Sequence, residues 1–140
     1  ISRHMINRRG GGKIINMSSV SGKVGTAKYA AYCSSKFGVI GFTQSLSREM
    51  AEYKVNVNAI CPSLVETERV FGIASALKPD DETSTEDWRD EMVARTNEAN
   101  PLGRIAQAKD VADVAAFLAS SQADYLTGLA INVAGGSHMG

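Results

Sequence analysis

KIINMSSVSGKVGTAKYAAYCSSKFGVIGFTQSLSREMAEYKVNVNAIC, residues 13–61, reads as strand, helix and strand. Lys13 to Met17 is a short Ile-rich run after a glycine cluster, with the length and composition of a buried parallel strand. From about Tyr29 to Glu52 the period is helical, since Val39, Phe42, Leu46 and Met50 recur at spacings of 3, 4 and 4. Val55 to Cys61 alternates apolar and polar and then turns continuously apolar, as a strand entering a covered sheet does. That order predicts a right-handed crossover unit of an α/β fold, with the carboxyl ends of both strands on one rim. Ser18 and Ser19 follow the first strand and the Pro62 to Thr67 loop follows the second, so both fall where open parallel sheets collect ligands. The other reading of the serine pair is capping or turning of the backbone. Gly22 and Gly25 mark a flexible loop. Gly38 and Gly41 each cost about 0.5–1 kcal/mol relative to alanine within a helix, which suggests close packing there. Phe37, Phe42 and Leu46 read as core or interface rather than ligand contacts.

Outward from this unit, ISRHMINR carries Ile1, Met5 and Ile6 at helical spacing before Arg8, Arg9 and three glycines. This predicts the last turns of a helix with a basic end and a glycine stop, and makes His4 a surface residue. Downstream, residues 64–77 could hold a short helix, KPDDETST is turn-rich, and Ser84 to Asp87 opens a further helix with a capping-box pattern. Such an excursion at a ligand rim is either a lid or a surface elaboration. Trp88, the only tryptophan, either faces a substrate or anchors the excursion, and the anchor is favoured. Asp110 lies at the positive end of a helix whose Val111, Val114, Ala115 and Leu118 share one stripe, and Leu129 to Val133 is a last buried strand. His138, in a glycine-rich tail, reads as a solvated residue, and no metal is expected.

Composition removes several classes of function. Fifteen basic and fifteen acidic residues cancel, so no global field attracts nucleic acid or an anionic membrane. No apolar run approaches the roughly 20 residues of a membrane span. Cys33 and Cys61 form neither a disulfide framework nor a metal-ligand spacing; both read as small buried residues, which fits a reducing, cytoplasmic compartment.

What remains is acid–base chemistry. Tyr32 and Lys36 are four apart, so on a helix they emerge from one face about one turn apart. A free phenol, with a pKa of about 10, is a poor base at neutral pH, and reaching 7 requires roughly 4 kcal/mol in favour of the phenolate. One charge about 4 Å away supplies roughly 1 kcal/mol in water and about 4 at an effective dielectric of 20. A lysine therefore suffices only in a partly enclosed site, where it must also outweigh desolvation. A bound cation nearby would help.

In KIINMSSVSG, Tyr32-x-x-x-Lys36 thirteen residues after Ser19, NAICPSLVET, NPLGR, DVADVAAFLAS and the closing TG-to-GG strand, the chain closely resembles the carboxyl-terminal half of the short-chain dehydrogenase/reductase family. Tyr-x-x-x-Lys alone is a weak signal; these pieces in this order are specific and cover nearly all of residues 1–136. The resemblance implies the C-terminal part of a Rossmann-type doubly wound parallel sheet in three α/β/α layers, with a substrate lid at about 66–100. It implies an NAD(P)-dependent oxidoreductase that interconverts an alcohol and a ketone, with NAD or NADP as cofactor. By the same resemblance Tyr32 is the general acid/base, Ser19 holds the substrate oxygen, and Lys36 stabilises the phenolate and binds the nicotinamide ribose. Pro62, Ser63, Val65 and Thr67 fall in the nicotinamide loop, Val65 acting through its backbone. The implied partners are a small alcohol or carbonyl substrate and, through the helix bearing Tyr32 and Lys36, further copies in a homodimer or homotetramer. A non-catalytic dinucleotide-binding member of the same fold is the alternative, as is a plain α/β domain.

The departures are equally specific. The glycine-rich pyrophosphate turn, the residue that chooses between NAD and NADP, and the family's catalytic asparagine have no counterpart here, so a fragment of a longer enzyme is expected. Its first strand is expected to present an unpaired apolar edge, and residues 1–140 alone to aggregate or to bind no cofactor. Ser63 stands where glycine is usual, which bears on the loop's backbone angles, and Ala134 where aspartate is common.

Overall fold

In chain order the polypeptide forms α1 (Ser2–Arg8), β1 (Gly12–Met17), α2 (Ala30–Met50), β2 (Val55–Pro62), β3 (Val65–Glu66), α3 (Glu68–Leu77), α4 (Thr85–Ala99), β4 (Ala106–Gln107), α5 (Ala108–Ala119) and β5 (Ala130–Val133). The structure, a computed structural model, describes residues 1–140. β1, β2 and β5 form a parallel sheet in that order, with Met17 opposite Ile60 and Pro62 opposite Val133. This register brings the carboxyl ends of β1 and β2 to one rim, as the sequence predicts.

Alternation along the strands divides the core into two layers. On one face Met50 of α2 packs with Val55 and Val57, joined by Ile14 and by Met5 and Ile6 of α1. On the other, Leu118 of α5 packs with Ile60, joined by Ile15, Ile131 and Val133. The α/β/α sandwich expected for a Rossmann-type sheet is therefore present. The β1–α2–β2 and β2–α5–β5 connections step the same way across the sheet with their helices on opposite faces, so they have opposite hands. One of them departs from the right-handed rule, and the long excursion through α3 and α4 precedes the helix of the second. β1 pairs only with β2, and its other edge is free.

Several expectations are corrected. The α1 helix stops at Arg9 in the left-handed conformation (φ 54°), with its N–H donating to the Ile6 carbonyl, and needs no glycine there. The buried stripe of α2 is Cys33, Thr43, Ser47 and Met50, whereas Phe37 and Phe42 are 46% and 58% exposed. Small polar residues let the helix approach the sheet without orphaning their hydroxyls: Thr43 donates to the Val39 carbonyl and accepts from Asn16, and Ser47 donates to the Gln44 carbonyl. A Cβ added at Gly38 or Gly41 would meet nothing within 4 Å, so close packing does not explain them in this chain. Gly22 is the glycine that packs. It is buried in a short 3-10 turn, where a Cβ would lie 2.6 Å from Ser18 Oγ and 2.7 Å from the Lys36 carbonyl. Only Gly25 of that loop faces open space.

The excursion is ordered as two helices that pack against each other. Ser84 Oγ accepts from the Asp87 N–H at the start of α4. Trp88 is half-buried beneath Arg95, whose Cζ lies 5.4 Å from the ring centroid, as an anchor would be. The short parallel pair β3–β4 is an addition that two-residue strands cannot announce by period. Next to it Arg104 donates to both oxygens of Asp110 at 2.7 and 2.8 Å, and Asp110 also accepts from the Gln107 N–H. These bonds, Arg104 foremost, hold the Asp110 carboxyl well below the ordinary carboxylate range.

Two measurements test this packing. Gly22→Ala should lower unfolding stability by roughly 1–3 kcal/mol in a denaturant titration, because the new methyl overpacks a backbone carbonyl; an unchanged midpoint would contradict the contact. Asp110→Asn should lower Tm at neutral pH. Because the folded-state pKa is depressed, the wild-type advantage is present above the ordinary carboxylate value of 3.8 and is lost only as pH falls through the lower folded value. A Tm difference that disappears on moving from pH 7 to about pH 6 would show that the pair is not responsible.

Candidate active site

The carboxyl ends of β1 and β2, the first turns of α2 and the α3–α4 excursion enclose a cleft of about 350 Å³. Ser19, Tyr32, Lys36, Pro62, Ser63, Val65 and Thr67 all line it. Residues drawn from three separate stretches of sequence thus converge on one space.

Ser19 is 8% exposed and in extended backbone as the N-cap of the 3-10 turn, its Oγ accepting from the Ser21 N–H at 3.2 Å. Its own proton reaches the Pro62 carbonyl at a long 3.4 Å, so the hydroxyl is lightly held and can turn to a ligand oxygen. Tyr32 is half-buried, with Tyr29 edge-on at 6.2 Å between centroids. Lys36 Nζ lies 5.6 Å from the Tyr32 centroid and donates to the Met17 carbonyl at 3.1 Å. Ammonium carries three donors, so two are left for a ligand. Ser18, the other member of the serine pair, is structural: its Oγ donates to the Lys36 carbonyl at 2.8 Å. Cys61, beneath the rim, is fully buried, and burial pushes its thiol pKa up against the opposing charges of Lys23 and Lys36.

The loop after β2 is held for contact with a ligand. The Ser63 N–H donates to the Val133 carbonyl of β5, and Ser63 has no left-handed φ, so serine replaces glycine there without backbone strain. Because the Ala106 N–H bonds the Leu64 carbonyl, alternation in the parallel ladder points the backbone groups of Val65 away from β4. Only Thr67 Oγ1 touches the Val65 carbonyl, at 3.4 Å. Spare ammonium donors, a free amide, a carbonyl met only at 3.4 Å by Thr67 Oγ1 and a loosely held hydroxyl fit the ribose and carboxamide of a nicotinamide.

Sequence reasoning missed Arg69, Tyr29 and Met92, all of which line the cleft. Arg69 follows Thr67 by two residues, and its Cζ lies 5.7 Å from the Tyr32 centroid. The motif stops at Thr67, and only the fold shows that the first turn of α3 continues the wall.

Known proteins share this sequence and fold. 3-Oxoacyl-(acyl-carrier-protein) reductase FabG of Vibrio cholerae is 38% identical over 139 residues, covering 99% of this chain and 50% of its own length. Among solved structures, an actinorhodin polyketide ketoreductase with NADPH superposes with a TM-score of 0.83 at 38% identity, covering 94% of this chain and 49% of that one. A 3-oxoacyl-(acyl-carrier-protein) reductase with bound NAD from Brucella melitensis gives 0.77 at 31% identity, covering 99% and 45%. The chain spans about half the length of the curated relatives it matches. The family described as enoyl-(acyl carrier protein) reductase matches residues 2–138, and the chain belongs to the short-chain dehydrogenase/reductase family.

Proposed function

We propose that the full-length protein containing this chain is an NAD(P)-dependent oxidoreductase interconverting an alcohol and a ketone, with Tyr32 as its general acid/base. The observation that carries this reading is the meeting of Ser19, Tyr32 and Lys36 in one cleft, beside the unpaired backbone of Val65. A phenol under an ammonium serves proton transfer; a domain that only bound a dinucleotide would not need it. The chain supplies the proton-handling side of the site, and α3 and α4 serve as the substrate lid.

Lys36 and Thr67, with the Val65 backbone, would hold the nicotinamide end of the dinucleotide, which when bound supplies or accepts the hydride at the substrate carbon. Ser19 donates to the carbonyl oxygen and fixes its direction toward Tyr32. In reduction the Tyr32 hydroxyl gives its proton to that oxygen as the carbonyl π pair becomes an oxygen lone pair. The phenolate left behind is stabilised by Lys36. In oxidation the same proton moves from alcohol to phenolate. Val70, Ile73 and Met92 of the lid exclude water from the exchange.

Tyr32→Phe in the full-length protein should lower kcat by about 10²–10⁴-fold while leaving dinucleotide affinity within about threefold. Undiminished turnover would reject the assignment. Ser19→Ala should likewise act on kcat more than on dinucleotide binding, measured by fluorescence titration of the reduced dinucleotide.

We further infer that the outer face of α2 meets a second copy in a homodimer or homotetramer. Phe37 and Phe42 are exposed there beside Gly38 and Gly41, whose open space admits a close neighbour. Phe42→Glu should reduce the mass seen by light scattering to that of a smaller species, whereas an unchanged mass would place the contact elsewhere.

A further inference from the structure

The cleft has an uncompensated charge. Its lining includes two cations, Lys36 and Arg69, and no Asp or Glu. Lys36 gives one donor to the Met17 carbonyl, lies beside Tyr32, and in the function proposed above uses its remaining donors on the nicotinamide ribose. Arg69 has no such partner: its guanidinium makes no hydrogen bond or ion pair, although acidic residues flank it in sequence. Glu66 is occupied by Arg89 at 2.9 Å and by Gln107 at 2.8 Å, and Glu68 is outside the cleft. What fixes Arg69 is the face of Tyr32, with Cζ 5.7 Å from the centroid. A planar fork of donors is thus presented beside the proposed proton donor with its donors unfilled.

We propose that Arg69 forms an anion subsite for the substrate, so that the preferred substrate is a ketone or alcohol carrying a carboxylate one or two carbons from the reacting carbon. This rests on the function proposed above. The spacing follows from geometry. The phenolic oxygen is about 3 Å from its ring centroid and a bound carbonyl oxygen about 3 Å further, while a carboxylate carbon sits about 4 Å from the Cζ of a bidentate arginine. With Cζ 5.7 Å from the centre of the same ring, a 2-oxo or 3-oxo acid is long enough to reach both groups. Arg69 is itself exposed, so the charge pairing strengthens only as a bound substrate displaces water against the apolar Val70, Ile73 and Met92. The other anion that could use Arg69 is the pyrophosphate of the dinucleotide, and the experiment separates the two.

The test compares 3-oxobutanoate with its neutral methyl ester as substrates of the full-length enzyme, in wild type, Arg69→Met and Arg69→Lys. The account expects Arg69→Met to lower kcat/KM for the acid by roughly 10- to 100-fold while kcat/KM for the ester and KM for the dinucleotide change by less than about threefold. Arg69→Lys should recover part of the loss. Equal losses for acid and ester would overturn the inference and make Arg69 a packing partner of Tyr32. A raised dinucleotide KM with both substrates would overturn it in favour of the pyrophosphate. Calorimetric titration of 3-oxobutanoate into enzyme saturated with oxidised dinucleotide, which cannot reduce it, needs no turnover. Binding there that Arg69→Met abolishes supports the subsite, and binding unaffected by the substitution sinks it. A protein that binds 3-oxobutanoate through Arg69 but reduces neither compound would instead refute the proposed function.

Discussion

Everything in the cleft depends on a clamp between the carboxyl end of β1 and the second turn of α2. It is built from both sides: Ser18 Oγ donates to the Lys36 carbonyl at 2.8 Å, and Lys36 Nζ donates to the Met17 carbonyl at 3.1 Å. Gly22 fits against the same Lys36 carbonyl, at a distance no side chain tolerates. The strand that delivers Ser19 and the helix that delivers Tyr32 and Lys36 are thereby held in register by one part-buried hydrogen bond, from Ser18, and one exposed one, from Lys36. Acid–base groups need placement within fractions of an ångström, and here two side chains, Ser18 and Lys36, supply it by bonding main-chain carbonyls across the strand–helix junction. Lys36 has a double part in this arrangement. Its backbone and its ammonium both tie α2 to β1, and its remaining donors face the cleft.

A second set of contacts holds the opposite wall. Asn100 is buried, donates to the Arg104 carbonyl, and packs where a Cβ on Gly135 (φ 56°) would come within 2.4 Å of its side chain. Asn97 accepts from the Ile105 N–H, and Arg104 grips Asp110. Together these seat β4 against β3, which leaves the backbone of Val65 pointing into the cleft. The segment NPLGR therefore works as a brace for the loop after β2. Its chemistry is remote, but its geometry is felt at Val65 and Thr67.

Much of this was legible in the sequence, for identifiable reasons. β1, α2 and β2 carry strong periods and clear stops, and the polar residues at the strand ends were placed on the correct rim because parallel strands share a direction. Of the large apolar residues read as core or interface, Leu46 joins the Met50 core and Phe37 and Phe42 do not. The helix in fact buries small ones, Thr43 and Ser47, that satisfy their hydroxyls locally, and it leaves Phe37 and Phe42 outside. β3 and β4 are too short to carry a period and exist only because a tertiary brace aligns them. Opposite-handed connections are likewise invisible to a rule that names one hand. Arg69 escaped notice for a related reason: its importance comes from a ring that lies 37 residues away in sequence and beside it in space.

In the proposed function Tyr32 is the proton donor, Ser19 directs the carbonyl and Lys36 is the cation, and the structure brings the three to one cleft. The central claim is that Ser19 and Tyr32 share one substrate oxygen. A crystal structure of the full-length protein with oxidised dinucleotide and an unreactive alcohol tests it most directly. The account predicts the alcohol oxygen within about 3.2 Å of both Ser19 Oγ and the Tyr32 hydroxyl. An alcohol bound in the cleft with its oxygen beyond hydrogen-bonding reach of Tyr32 would contradict it.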